Sequence, residues 1–137
     1  VVTWYRTLAA QLERWGGRGA VGFDRIGLSM YPTWDRGTTF ESIPKLSALA
    51  AAFPGTPIYI AETSYPAAGA SQPEKSFPAT PAGQLAYLQA VRKALAAVLG
   101  TTAQNGGVLW WEGGDSGWNS LFDENYVARM ALLEGFR

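Results

Sequence analysis

The chain has 137 residues, 11 basic and 11 acidic side chains and therefore no formal net charge. This length fits one domain with a real core, and the balanced charge offers no patch for nucleic acid or a membrane surface. Cys and His are absent, which excludes thiol catalysis, Ser-His triads and imidazole-bound zinc. Any chemistry must therefore rest on carboxylates, hydroxyls, Lys or Tyr, and carboxylate chemistry is the leading hypothesis.

The first half of the sequence alternates between helix and strand patterns. Apolar residues at spacings of three and four predict an amphipathic helix over residues 1–15, ended by a Gly-Gly pair. Residues 23–32, FDRIGLSMYP, form a short apolar run before a proline, which is typical of a buried parallel strand. A second helix is predicted from about Ser42, and residues 55–66, GTPIYIAETSYP, repeat the strand pattern.

The second half continues the same alternation. After a predicted loop over residues 67–79, Thr80 is expected to cap a helix that has Pro81 at its first position. Residues 106–112, GGVLWWE, predict a third buried strand, and residues 126–136 predict a last helix. The predicted order is α, β, α, β, α, β, α, which indicates a parallel sheet covered by helices.

The residues at the ends of the three strands decide between two α/β architectures. A doubly wound sheet usually carries a Gly-rich phosphate turn, and neither G-x-G-x-x-G nor a P-loop occurs here. A (β/α) barrel instead places its functional residues where strands end. Tyr31, Glu62 and Trp111 all lie at such positions. The sequence therefore predicts a barrel.

Side-chain alternation predicts which residues point into that barrel. Glu62 is expected to share the inward face with Ile58 and Ile60, which leaves the intervening residues against the helices. Tyr31 then lies one strand away, where its hydroxyl is expected to hydrogen-bond the carboxylate. A carboxylate at a barrel mouth beside aromatic rings suits glycoside cleavage, because the carboxylate stabilises the reacting sugar carbon and the rings hold the sugar.

Other interpretations of the two candidate carboxylates stay open. Glu62 can instead cap a neighbouring helix or pair with Arg25. On the third strand, alternation puts Leu109 inward and sends Trp110 and Glu112 outward. Glu112 is therefore a weak candidate for a second catalytic carboxylate, and an ion pair or a hydrogen bond at the rim is the preferred role.

Five segments are similar to the motifs of one known family. DRIGLSMYPTW is similar to D-x-I-G-L-S-Y-Y-P-x-W, AETSYP to E-T-[AG]-Y-P, TPAGQLAYL to T-P-E-G-Q-x-x-F-L, and GGVLWWEGG to G-x-F-Y-W-E-P. WNSLFDEN resembles a shortened W-x-x-x-x-L-F-D region. Taken together, the five segments resemble the arabinogalactan endo-β-1,4-galactanases of glycoside hydrolase family 53. The chain departs from the family pattern at Met30, Ala82 and Gly113, and the last of these is expected to alter the loop beside the site.

The resemblance implies a (β/α)8 barrel and a retaining endo-hydrolase of β-1,4-galactan, the side chain of type I arabinogalactan. It implies that Glu62 is the nucleophile. The residues expected to contact the sugar are all aromatic: Tyr31, Trp34, Tyr65, Trp111 and Trp118. The resemblance also implies a location outside the cytoplasm, either extracellular or periplasmic, and it calls for no cofactor.

The resemblance further implies that only part of the barrel is present. The family's acid/base glutamate follows an asparagine on strand four, and no Asn-Glu pair precedes the first matched strand. Residues 1–137 are therefore expected to form one partial barrel domain, about strands six to eight, with the N-terminal half absent. Such a piece is expected to be inactive or feeble alone, and to self-associate or pair with the missing N-terminal segment.

Three alternatives to the galactanase interpretation remain: a galactan-binding module without catalysis, a structural half-barrel, and a related β-glycanase of the same clan. No metal is assigned. Asp115, Asn119 and Asp123 offer oxygen ligands for a structural calcium, but a turn rich in Asp and Gly is the preferred explanation for these residues.

Overall fold

A computed structural model describes residues 1–16, 24–31, 43–68, 77–99, 107–114 and 118–136. Helices and strands alternate in the predicted order: α1 (Val2–Gly16), β1 (Ile26–Ser29), α2 (Ile43–Ala52), β2 (Ile58–Thr63), α3 (Pro81–Leu99), β3 (Val108–Trp110) and α4 (Met130–Glu134). The strands are parallel and lie side by side in chain order. Each crossover thus moves the chain one strand further in the same direction, as in a barrel and unlike a doubly wound sheet.

The start of α3 follows the sequence prediction closely. Pro81 is its first residue, and the Thr80 hydroxyl accepts a hydrogen bond from the backbone N–H of Gly83 at 3.1 Å. This bond satisfies one of the N–H groups that a helix leaves unpaired at its first turn. A Cβ at position 83 would lie 1.8 Å from the carbonyl oxygen of Pro78, so only glycine fits there.

The core lies between one face of the sheet and the helices α2 and α3. Ile26 from β1 and Ile58 and Ile60 from β2 are fully buried in it. The helices supply the other side of the layer, with Leu46, Leu49, Tyr87, Val91 and Leu95. On the opposite face of the sheet, Leu109 of β3 is 57% exposed.

The last helix is shorter than predicted. Residues 126–136 were expected to be helical, but α4 spans only Met130–Glu134. The Oδ1 atom of Asp123 accepts hydrogen bonds from the backbone N–H groups of Asn125 and Val127, both at 2.9 Å. Tyr126 inside this turn has a left-handed φ of 59°, and the backbone N–H of Arg129 donates to the Leu121 carbonyl at 2.9 Å. Residues 126–129 are therefore held out of the right-handed helical conformation. Across the described part of the chain, every helix falls short of the length or apolar character that a membrane span requires.

Candidate active site

A phenol and a carboxylate meet at the carboxyl end of the sheet. Tyr31 lies just beyond β1 and donates its hydroxyl hydrogen to Oε1 of Glu62 at 2.7 Å. Hydrogen bonds to carboxylates are among the stronger ones in proteins, so this contact orients the Glu62 side chain. The sequence prediction that Tyr31 reaches Glu62 is confirmed.

The register between β1 and β2 shifts by one residue immediately before Glu62. Leu28 pairs with Ile60, and the next residue of β1, Ser29, pairs with Glu62, so Ala61 is an extra residue in β2. A β-bulge of this kind interrupts the alternation of side chains and re-aims those beyond it, and such bulges occur often at barrel rims and beside active sites.

The predicted facing of β2 is wrong before the bulge and right beyond it. Ile58 and Ile60 pack with α2 and α3, so they lie on the helix side and not on the inward face. A Cβ at Gly27 would come within 2.9 Å of both Tyr59 and Ala61, which places those two side chains on the other face. Strict alternation from Ile60 would have turned the candidate carboxylate toward the helices, and the extra residue returns it to the inward face.

The buried hydroxyl of Thr63 links the ends of β1 and β2 to α3. Thr63, which follows Glu62 and is fully buried, donates to the carbonyl oxygen of Met30 at 2.6 Å and shares a hydrogen bond with the Tyr87 hydroxyl at 2.7 Å. The backbone N–H of Met30 in turn donates to the Glu62 carbonyl at 2.9 Å. The neighbours of the Tyr31–Glu62 pair are therefore fixed to each other and to α3.

The environment of Tyr31 favours its neutral form. The pKa of Tyr31 is raised well above its ordinary value of 10.0. Burial of the phenol is the largest cause, followed by its hydrogen bond to Glu62 and by the negative charges of Glu62 and Glu112. The phenol therefore remains a hydrogen-bond donor to the carboxylate throughout the physiological pH range.

We expect the Tyr31 phenol to stay protonated at pH 10.0, where half of free tyrosine is ionised. Because the folded pKa is raised, the stabilisation from this residue is complete below pH 10 and is lost as the pH rises above it toward the folded pKa. Absorbance titration near 295 nm should therefore count the same ionised tyrosines at pH 10.0 in the parent and in Tyr31→Phe. An additional half-ionised phenol in the parent would contradict this.

Two tryptophans expose their rings near the ends of the strands. Trp111 follows β3 directly and is 49% exposed, and Trp118 is 52% exposed. Their backbones are held in place. The N–H of Trp111 donates to the Thr63 carbonyl at 2.7 Å, and the carbonyl of Trp118 accepts from the N–H of Ala67 at 2.7 Å. Exposed rings on a fixed backbone suit stacking on a ligand, and the contact of both residues with a sugar stays a prediction.

The prediction that Tyr65 contacts a sugar is wrong for this structure. Its ring is completely buried and stacks on Tyr87 with 4.7 Å between ring centroids. Its hydroxyl donates to the Phe77 carbonyl at 2.6 Å. Because no face of the ring reaches the surface, Tyr65 is a core residue that packs the segment after β2 onto α3.

The remaining predicted positions are only partly described. Trp34 and Asp115 lie outside the described residues. The side-chain amide of Asn119 donates to the Trp111 carbonyl at 3.1 Å, and Asp123 accepts the turn hydrogen bonds given above, so both have local structural roles. Glu112 is exposed and has a left-handed φ of 52°. Within the described ranges, no group of three or more acidic, His or Cys side chains is arranged to hold a metal ion.

Comparison with known families gives a match over nearly the whole chain. The sequence model of glycosyl hydrolase family 53 matches residues 2–129. The chain belongs to glycosyl hydrolase family 53. A curated arabinogalactan endo-beta-1,4-galactanase from Cellvibrio japonicus (strain Ueda107) is 37% identical over 110 residues, which is 69% of this chain and 26% of that protein.

Solved family 53 structures share the fold. The Ignisphaera aggregans GH53 catalytic domain superposes with a TM-score of 0.73 at 22% identity and covers 99% of this chain. A fungal beta-1,4-galactanase gives a TM-score of 0.76 at 20% identity and 98% coverage. The chain spans 43% and 42% of those two structures and about a quarter of the curated relative. The predicted fold class, part of a (β/α)8 barrel, is confirmed.

Sequence reasoning missed a buried polar cluster beside this family 53 site. Gln84 on α3 and Ser120 after β3 are both fully buried. The Nη1 group of Arg129 donates hydrogen bonds to Oε1 of Gln84 and to the backbone carbonyl of Ser120. A signal was present in the sequence. Gln84 stands four residues before Leu88, at the position where the apolar stripe of α3 should begin, and a polar residue there indicates a hydrogen-bonding role.

Proposed function

We propose that this family 53 chain supplies the nucleophile half of a retaining endo-β-1,4-galactanase site, with Glu62 as the nucleophile. The observation that carries the proposal is the 2.7 Å hydrogen bond from Tyr31 to Glu62 at the carboxyl end of parallel strands. Barrel enzymes place their catalytic groups at this end. The hydrogen bond leaves the second carboxylate oxygen of Glu62 available to attack a sugar.

In the proposed reaction, that oxygen attacks the anomeric carbon and forms a glycosyl ester as the bond to the leaving sugar breaks. The leaving oxygen takes a proton from a second carboxyl group, which then acts as base for the water that hydrolyses the ester. We propose that this acid/base group comes from barrel strands beyond this chain and not from Glu112. The chain alone should then cleave galactan feebly or not at all. The mechanism uses no metal or cofactor.

The proposed substrate is β-1,4-galactan of type I arabinogalactan, in line with the printed name of the curated relative. The exposed rings of Trp111 and Trp118 offer stacking surfaces for galactosyl units, and we propose that Trp34 adds another. A protein that degrades a plant polysaccharide meets its substrate outside the cytoplasm, so we propose an extracellular or periplasmic location.

Calorimetric titration with β-1,4-galactotetraose and β-1,4-xylotetraose tests the substrate. We expect measurable binding of the galactan fragment and at least about tenfold weaker binding of xylotetraose, since one lost set of polar contacts is worth about 1.4 kcal/mol or more. In parallel, reducing-sugar release from β-1,4-galactan should stay at background. Equal affinity for both sugars would point instead to another β-glycanase specificity.

The other candidate functions give different results in the same experiments. A binding module without catalysis would bind galactotetraose but would never react through Glu62. A structural half-barrel would bind neither sugar. Rapid galactan cleavage that depends on Glu62 would show that a second carboxylate is supplied within the sample, and would contradict the half-site proposal.

We propose that the inward face of the sheet is covered by the N-terminal barrel segment or, in its absence, by a second copy of the chain. Leu109 is exposed on that face, and within the described residues β1 and β3 each pair with β2 alone. Unpaired strand edges favour association with further strands. Light scattering of the purified chain should give a mass above that of the 14.7 kDa monomer, and a stable monomer would contradict the proposal.

A further inference from the structure

Gln84 is a buried polar side chain in the first turn of α3. Its relative exposure is 0%, and it lies on the side of α3 that also carries the buried Leu88, Val91 and Leu95. Burying a side-chain amide costs free energy unless its donors and its acceptor find partners. The hydrogen-bond partners of Gln84 therefore indicate its role in the structure.

The amide of Gln84 joins two separate segments of the chain. Its Nε2 donates to the carbonyl of Tyr65, in the segment after β2, at 2.7 Å. The same nitrogen donates to the carbonyl of Ser120, in the segment after β3, at 3.3 Å. Its Oε1 accepts from Nη1 of Arg129 at 3.3 Å. Both donors and the acceptor are used, and a reversed amide would face two carbonyl oxygens and a guanidinium with the wrong atoms.

Three consecutive carbonyls of the segment after β3 accept hydrogen bonds from four donors, because Arg129 shares the Ser120 carbonyl with Gln84. The Trp118 carbonyl accepts from the N–H of Ala67, and the Asn119 carbonyl accepts from the indole N–H of Trp110 at 2.8 Å. The Ser120 carbonyl accepts from Gln84, as above. The backbone is thus fixed at Trp118, a residue that is 52% exposed.

We propose that Gln84 is a positioning residue that ties the segment after β2 to the segment after β3, and thereby holds the Trp118 ring in place at the end of the sheet that carries Glu62. Gln84 is buried and does not itself contact the sugar. This hydrogen-bonded link between the two segments does not depend on any ligand, whereas the use of Trp118 to bind sugar rests on the function proposed above. A ring held in one position loses less conformational entropy on binding than a mobile one.

The variant Gln84→Met keeps the size of the side chain and removes all three hydrogen bonds. Gln89→Met, an exposed position on the same helix, is the matched control. We expect amide hydrogen exchange at Ala67, whose N–H donates to Trp118, to accelerate about tenfold in Gln84→Met and to be unchanged in Gln89→Met. Exchange at Val91 and Leu95 in α3 should change much less.

A uniform acceleration across α3 and β2 would show that Gln84 contributes only general stability and would overturn the proposal, as would unchanged exchange at Ala67. If Gln84→Met does not fold, Gln84→Glu provides the test. It keeps the size and an acceptor for Arg129 but, as a carboxylate, has no N–H for the two carbonyls. The same local acceleration at Ala67 is expected.

Titration with β-1,4-galactotetraose separates this proposal from the proposed function. We expect Trp118→Ala and Gln84→Met to weaken binding by about tenfold and about threefold respectively, and Gln89→Met to leave it unchanged. If the parent binds and only Trp118→Ala weakens binding, the positioning proposal is overturned and the function stands. If the parent does not bind, the function fails, and the exchange data at Ala67 decide the tie by themselves.

Discussion

The Glu62→Gln variant is expected to lose the reaction with an activated galactoside while its fold is preserved. In 2,4-dinitrophenyl β-1,4-galactobioside the leaving group departs as a stable anion with the bonding electron pair, so it needs no proton from an acid carboxyl group. Attack by Glu62 on the anomeric carbon should then release about one equivalent of dinitrophenolate and leave a galactobiosyl ester, which water hydrolyses slowly because no general base assists.

The amide of Gln cannot form that ester. We expect the rate constant of the burst to fall by on the order of 10⁴-fold or more, the scale seen when hydrolases lose a residue of the covalent machinery. Glu112→Gln is the matched control, because it removes an exposed carboxylate from the end of the next strand. Stopped-flow absorbance measures both variants. An unchanged burst in Glu62→Gln, or a burst lost only in Glu112→Gln, would contradict the assignment.

The Tyr65→Ala variant is expected to lose much of the stability of the fold. Removing a fully buried aromatic ring costs about 3–5 kcal/mol, which is a large part of the about 5–15 kcal/mol that stabilises a typical domain. The Tyr65 ring stacks on Tyr87, and its hydroxyl satisfies the Phe77 carbonyl. Tyr65→Phe keeps the ring and removes only the hydroxyl, so it should cost about 1–3 kcal/mol.

For Trp118, substitution is expected to affect sugar binding and not the stability of the fold. Trp118→Ala should change the free energy of unfolding by about 0.5 kcal/mol or less, since the change lies at the surface, and should act on sugar binding instead. Urea denaturation followed by circular dichroism and calorimetric titration separate the two effects. A stable Tyr65→Ala protein that has lost only galactotetraose binding would restore the original assignment of Tyr65 to the sugar site.

The sequence was sufficient for the order of elements and for the central contact of the site. Hydrophobic patterns, the Thr80–Pro81 helix start and the absence of a phosphate turn led to a barrel. The positions of Tyr31 and Glu62 at the ends of neighbouring strands predicted the hydrogen bond between them. These features depend on local pattern and on the regular geometry of parallel strands, and sequence records both directly.

The features that the sequence did not predict depend on irregular backbone geometry and on contacts between distant parts of the chain. Nothing in the apolar run of β2 marks Ala61 as an extra residue, so strict alternation placed Ile58 and Ile60 on the wrong face. Tyr65 is buried by its contacts with Tyr87 and Phe77, and a motif match does not describe such tertiary contacts. The tie through Gln84 joins residues up to 45 positions apart, and a single sequence gives the polar residue but not its partners.

Mass spectrometry of the trapped intermediate tests the central claim most directly. The chain is incubated with the 2-deoxy-2-fluoro analogue of the dinitrophenyl galactobioside, whose fluorine slows hydrolysis of the ester, and is then digested into peptides. The account predicts one fluorogalactobiosyl group per chain, attached to the peptide that contains Glu62 and absent from Glu62→Gln. A folded chain that remains unlabelled, or a label on Glu112 or any other residue, would contradict it.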